Sequence, residues 1–204
     1  MRGASNAWIV LIVGMAAAMV GGCSLLSLED ANFYLLLPQA AKERHPLPTD
    51  TVVVLNRIAL APYLDSTRLL LQQSDNRLQQ AADRVWAESL QDNIQRVVAL
   101  NLAARLQLPR VEGPSYRGEG FKQAWRVSLA IDYFHGSMVD GIELHTYWQL
   151  HYGDKATLLQ RQEQIHVVTG FNSYDRLVEG MSRALAELAD RIATAVAQSI
   201  NSRQ

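Results

Sequence analysis

The sequence predicts an α+β fold, with a mixed, mostly antiparallel sheet and two long amphipathic helices packed on one of its faces. Three observations lead to it. Several segments alternate apolar and polar residues with a period of two, the pattern of half-buried strands. Two longer segments repeat apolar residues at steps of three and four, the pattern of helices with one buried stripe. The order is strands, helix, strands, helix, with hairpin-compatible connections in the strand regions, and one sheet face receives both stripes.

FYLLL (33–37) and TVVVLNRIAL (51–60) are rich in branched and aromatic residues and bounded by prolines, which predicts two buried strands. QAAKERHPLPTD (39–50) is the linker between them. RLLLQQSDNRLQQA predicts a hairpin, with Ser74, Asp75 and Asn76 turning the chain between arms 68–73 and 77–81. The next segment carries Trp86, Leu90, Ile94, Val97, Val98, Leu102 and Leu106 on one helical stripe, which Pro109 ends. VEGPSYRGEG is a loop.

Two alternating strands follow. The first places Trp125, Val127, Leu129, Ile131 and Tyr133 on one face; the second places Ile142, Leu144, Thr146, Trp148, Leu150 and Tyr152 together. LLQRQEQIHVVTG adds a third arm after a turn at 153–156. The last segment aligns Leu177, Met181, Leu185, Leu188, Ile192 and Val196, with Ser173 placed to cap the helix and Asp175 in its first turn.

The amino terminus has a different character. MRGASNA carries one arginine, and WIVLIVGMAAAMVGG (8–22) carries no charge. The apolar run is about 15 residues, against roughly 20 for a membrane-spanning helix, and ends in small residues, as a secretory signal does. An uncleaved anchor fits that length and ending less well. Cys23 follows at once and is the sole cysteine among 204 residues. A disulfide or a thiolate zinc site within one chain is thereby excluded. Its neighbours, glycine, serine and leucine, supply none of the groups that activate a nucleophile.

Val20, Gly21, Gly22 and Cys23 resemble the bacterial lipobox, although leucine is commoner than valine at the first position. The resemblance implies that Cys23 is lipidated and becomes the first residue of the mature protein. A lipoprotein cysteine typically carries three acyl chains, and at about 0.8 kcal/mol per buried CH₂ they suffice as an anchor. Ser24 stands where an aspartate holds enteric lipoproteins at the inner membrane, so the expected location is the periplasmic face of the outer membrane. Three regions result: a signal peptide at 1–22, a lipidated end and short tether at 23–31, and one domain at 32–204, with roughly 180 residues left after cleavage.

Composition narrows the function. With 19 Lys and Arg against 20 Asp and Glu, the formal charge is −1, and no basic stripe offers phosphate contacts to a nucleic acid. His135, His145, His151 and His166 are four of the five histidines. His145 and His151 lie roughly 20 Å apart along a strand, too far to share one ion, so exposed strand histidines explain them better than a metal site unless neighbouring strands pair them. Gly118 and Gly120 form no dinucleotide fingerprint, and no Walker sequence or nucleophile elbow occurs. Glu112, Glu119, Asp132, Asp140 and Glu143 include no pair that the sequence singles out for hydrolysis. The expectation is a non-enzymatic protein with no metal and no cofactor beyond the lipid on Cys23. Tyr63, Leu64 and Asp65, after Pro62 at a strand end, are candidate partner contacts, although for Tyr63 and Leu64 closing the core edge is the favoured reading.

FYLLLP near the mature start, the strand ending in Pro62-x-Leu64, the hairpin, then Trp86, Ala87 and Leu90 opening a long helix, and the amphipathic carboxyl-terminal segment occur in this order. Together they resemble the PqiC-type ABC-transport auxiliary lipoproteins, over most of the mature chain. The resemblance implies an outer-membrane lipoprotein that docks a periplasm-spanning MCE-domain protein of the PqiB type. Such a system moves lipids between the two membranes and maintains the envelope. It also implies a homo-oligomer, in the family a ring. Two other readings stay open: an assembly or regulatory factor for an outer-membrane secretin, pore or cell-wall synthase, and an envelope hydrolase.

Overall fold

In the computed structural model, which describes residues 31–137, 139–153, 157–168 and 173–203, the described strands join in one open sheet. They are β1 (Asn32–Tyr34), β2 (Val53–Leu55), β3 (Ala59–Leu60), β4 (Arg68–Ser74), β5 (Arg77–Trp86), β6 (Trp125–Ser137), β7 (Gly141–Tyr152) and β8 (Leu159–Val167). The path is β1-β5-β4-β6-β7-β8, and β2 and β3 also pair with β6. The long ladders, β4 with β5, β6 with β7 and β7 with β8, are antiparallel. The short pairings of β1 with β5 and of β2, β3 and β4 with β6 are parallel. Residues 31–204 form one compact unit.

Two helices complete the α+β architecture, α1 (Leu90–Leu106) and α2 (Tyr174–Asn201). They pack on each other, and α2 lies across β6, β7 and β8. All six expected stripe residues of α2 are buried in a core shared with α1 and the sheet. The Ser173 hydroxyl accepts from the Arg176 N–H at 3.3 Å, capping α2 as its position predicts. Among the described residues no helix is long and apolar enough to cross a membrane. The turn expected at 153–156 lies, apart from Gly153, outside the described residues.

Four expectations need correction. Trp86 does not belong to the helical stripe; it ends β5, opposite Tyr34 of β1. Helix α1 starts later, where the Ser89 hydroxyl accepts from the Asp92 N–H at 3.2 Å. The helix ends at Gln107, which takes a left-handed conformation with φ 53° before Pro109.

The segment at 51–60 is two short strands. Between them the ladder breaks, and side chains of α1 satisfy the freed backbone. Gln95 donates from Nε2 to the carbonyls of Leu55 and Asn56, both at 3.3 Å, and accepts from the Ile58 N–H at 2.9 Å. Gln91 donates to the Ile58 carbonyl at 2.7 Å.

FYLLL is only partly a strand and is not buried throughout. β1 covers Asn32–Tyr34 at the sheet edge, after which the chain lies against the helices. Leu36 alone of this run is fully buried, while Phe33, Leu35 and Leu37 are exposed. The Leu37 N–H donates to Ser182 Oγ at 3.2 Å and the Gln39 N–H to Asn101 Oδ1 at 2.9 Å. Side chains of both helices therefore replace the sheet ladder here.

The fourth correction concerns Tyr133. Ile131 pairs with Thr146, but Tyr133 pairs with His145, the very next residue of β7, so one extra residue, Asp132, interrupts the register. A bulge of this kind inverts the alternation. Val127, Leu129 and Ile131 face the helices, whereas beyond the bulge Phe134 is the core residue and Tyr133 is on the opposite face.

Candidate functional site

The face of the sheet turned away from the helices carries the cluster that the bulge creates. There Tyr133 pairs with His145 and His135 with Glu143, and His166 of β8 stands opposite Glu143. The Tyr133 ring lies between the two imidazoles, with centroids 3.8 Å from His135 and 4.8 Å from His145, nearly parallel to the latter at 22°. The Tyr133 hydroxyl donates to Gln72 Oε1 of β4 at 2.7 Å. Burial, then the Glu143 and Asp75 carboxylates, raise its pKa.

Tyr63 covers the cluster. The β3 pairing with β6 ends where the Ala61 N–H donates to the Ile131 carbonyl at 2.9 Å. The chain then makes a short 3₁₀ turn (Pro62–Leu64), which drops Leu64 into the core and lays Tyr63 over the bulge. The Tyr63 hydroxyl donates to the Asp132 carbonyl at 3.2 Å, and its ring meets His135 edge-on at 5.9 Å. Burial, the Tyr133 phenol and the Asp132 carboxylate together push the Tyr63 pKa up to about 12. It is an uncharged donor at any physiological pH.

The sequence-derived contact set divides accordingly. Tyr63 remains 41 % exposed and Asp65 is exposed. Leu64 is fully buried, a core residue whose side chain fills the space beneath the turn. Val20, Gly21, Gly22, Cys23 and Ser24 lie outside the described residues.

The histidines also divide. His135 is not an exposed strand histidine: it is 3 % exposed, and burial, with the neighbouring His145, lowers its pKa to about 4. His145 and His166 flank one carboxylate, with nitrogens 3.4 and 3.7 Å from the Glu143 oxygens. Among the described residues, no group of three or more His, Cys, Asp or Glu side chains is arranged to hold a metal. Of the carboxylates, Glu112 binds Arg110 at 2.5 Å, and Asp140 accepts from the Ser137 hydroxyl at 2.8 Å.

Further along the same face, polar uncharged groups predominate. The Tyr147 hydroxyl donates to Gln160 Oε1 at 3.0 Å and accepts from Gln149 Nε2 at 2.7 Å. Gln162 and Gln164 continue the row on β8. A sheet face with aromatic rings and amide groups, which no helix among the described residues covers, is chemically suited to contact another protein. Sequence reasoning reached Tyr63 but missed the facing of Tyr133 and His135, because that depends on the bulge, which alternation alone does not reveal.

The comparisons agree with this architecture. The family described as the ABC-type transport auxiliary lipoprotein component matches residues 34–193. A crystal structure of an uncharacterized protein superposes with a TM-score of 0.69 at 18% identity, covering 82% of this chain and 99% of its own. The crystal structure of protein XCC0632 from Xanthomonas campestris, described under DUF330, also has a TM-score of 0.69, at 13% identity, covering 85% of this chain and 100% of its own. At those identities the likeness is one of fold. No curated protein matches the sequence. The match over residues 34–193 identifies this chain as a member of the ABC-type transport auxiliary lipoprotein component family.

Proposed function

We propose that this protein is the outer-membrane lipoprotein of an MCE-type lipid transport system, where it docks the periplasm-spanning MCE protein without catalysing a reaction. The family match over most of the chain carries the reading. Acyl chains on Cys23 hold the domain at the inner leaflet, Ser27 to Asp30 act as a short tether, and the outer sheet face around Tyr63 receives the partner. The dispersal of the carboxylates among different partners fits placement better than chemistry. As an auxiliary component it works with partner proteins of a transport system, and a homo-oligomer is part of the proposal.

The test is photo-crosslinking in intact envelopes, with benzoylphenylalanine in place of Tyr63, or of Arg176 on α2 as a control position. An adduct with an MCE protein from position 63, absent from position 176, supports the docking surface. An adduct with a secretin or a cell-wall synthase, and none with an MCE protein, replaces this reading with that of an assembly factor.

A further inference from the structure

Bordering the tyrosine and histidine cluster at His166, a cavity of about 420 Å³ opens between the linker after β1, the end of β8 and helix α2. Its wall includes Arg105, a residue only 1 % exposed. Arg105 Nε donates to Asp190 Oδ1 at 2.5 Å and Nη1 to the Asn101 carbonyl at 3.1 Å, but Nη2, itself buried, has no hydrogen-bond partner among the described residues. A buried guanidinium nitrogen left without an acceptor is costly, and such atoms in folded proteins usually meet a water or an ion.

Two more cations line the cavity, Lys42 and Arg183, both exposed and neither in an ion pair or hydrogen bond among the described residues. The two acidic groups in the wall are already engaged. Asp190 binds Arg105, and Glu187 accepts from Arg191 Nη2 at 2.7 Å, while Arg191 also holds Glu163 at 2.5 Å. His166 at the rim faces Glu143. Fixed positive charge is therefore left over. Apart from Gln39, the remaining wall is apolar, with Ala40, Val167, Ala186 and Val168, the last 74 % exposed at the rim.

We propose that this cavity binds a phosphate ester, the anion accepting from Arg105, Lys42 and Arg183 and its organic substituent lying along Val167 and Val168. A guanidinium with one unpartnered nitrogen can donate to a phosphate oxygen, with the lysine supplying a second, more mobile charge. The apolar rim favours an ester over the bare ion. A phospholipid head and a soluble phosphomonoester share this chemistry. The inference rests on the cavity and its charges and is independent of the proposed transport partner.

The test uses the detergent-solubilised mature lipoprotein, titrated by calorimetry with inorganic phosphate, glycerol 3-phosphate or monomeric dihexanoyl phosphatidate, with chloride at matched ionic strength as the control. Lys42→Ala with Arg183→Ala removes the exposed cations and leaves the buried pair intact, and thermal unfolding checks its fold. Saturable binding that weakens about tenfold or more in this double variant supports the site. Equal binding of glycerol 3-phosphate and phosphatidate assigns it to phosphomonoesters at large, and binding of phosphatidate alone assigns it to a lipid head. Arg105→Lys, which keeps the charge but loses the planar donor edge, is expected to bind more weakly than the wild type. No saturable binding of any probe, or unchanged affinity in the double variant, overturns the proposal.

Discussion

The side-chain amide of Asn93 closes a pair of hydrogen bonds on the peptide groups of Leu36. The Leu36 N–H donates to Asn93 Oδ1 at 2.7 Å, and Asn93 Nδ2 donates to the Leu36 carbonyl at 3.2 Å. Both residues are fully buried. One helical side chain thus does for this segment what a neighbouring strand does elsewhere in the sheet, and it fixes where the chain arriving from the amino terminus enters the domain.

Asn93→Ala leaves a buried N–H and a buried carbonyl of Leu36 without partners, so it is expected to lower unfolding stability by about 2–4 kcal/mol. Asn101→Ala frees one partly buried donor, that of Gln39, and is expected to cost less. Urea unfolding of the two variants checks the order. Equal and small losses would show that this segment contributes little to the native state.

His135 gives the domain an acid-sensitive element. Its folded pKa of about 4 lies below the ordinary 6.5, so between these values the unfolded chain binds more protons than the native one. The contribution to stability is complete above about pH 6.5 and is lost as pH falls towards 4, with a full size on the order of 3 kcal/mol. His135→Phe keeps an aromatic ring beside Tyr63 and Tyr133 and has no proton to gain. Its urea midpoint is therefore expected to fall less than that of the wild type between about pH 7 and about pH 4. Parallel pH profiles would remove His135 as the cause.

Gly141 opens β7 with φ +106°, and a Cβ there would lie 2.3 Å from the Val167 carbonyl oxygen of β8. Both the left-handed backbone and the backbone contact oppose a side chain. Gly141→Ala is expected to destabilise the domain by more than about 1 kcal/mol and to loosen β7 from β8. Thermal unfolding measures the first effect and amide exchange along β8 the second. An unchanged melting temperature would contradict both.

Lipidation is a separate prediction, resting on the sequence at residues 20–23. Metabolic labelling with an alkyne-bearing palmitate analogue is expected to mark the wild type and leave Cys23→Ala unlabelled, since no other cysteine is present. Label retained in the variant would place the acyl chains elsewhere.

The polar residues that organise α1 left a readable trace. Asn93, Asn101 and Arg105 fall within the same three-and-four spacing as Leu90, Ile94, Val97, Val98, Leu102 and Leu106, so they were bound to face inward with the apolar stripe. Their partners were not readable. Leu36 lies 57 residues from Asn93, and Asp190 lies 85 from Arg105. Residue spacing reports which face a side chain occupies, without naming what it meets there.

The sequence by itself determined the α+β class, the hairpin at 68–81, the order of the elements, the two buried helical stripes and the family. Each of these is written in local periodicity, turn residues or ordered motifs, which act over a few neighbouring residues. Only the tertiary structure decided that Leu64 is core, that Tyr133 and His135 share the outer face under Tyr63, and that Arg105, with one nitrogen unpartnered among the described residues, lines one cavity with Lys42 and Arg183. A single inserted residue, Asp132, changes the facing of the strand after it, and cavities form between elements distant in sequence. Their outcome depends on the packing of the whole domain, which local pattern does not encode.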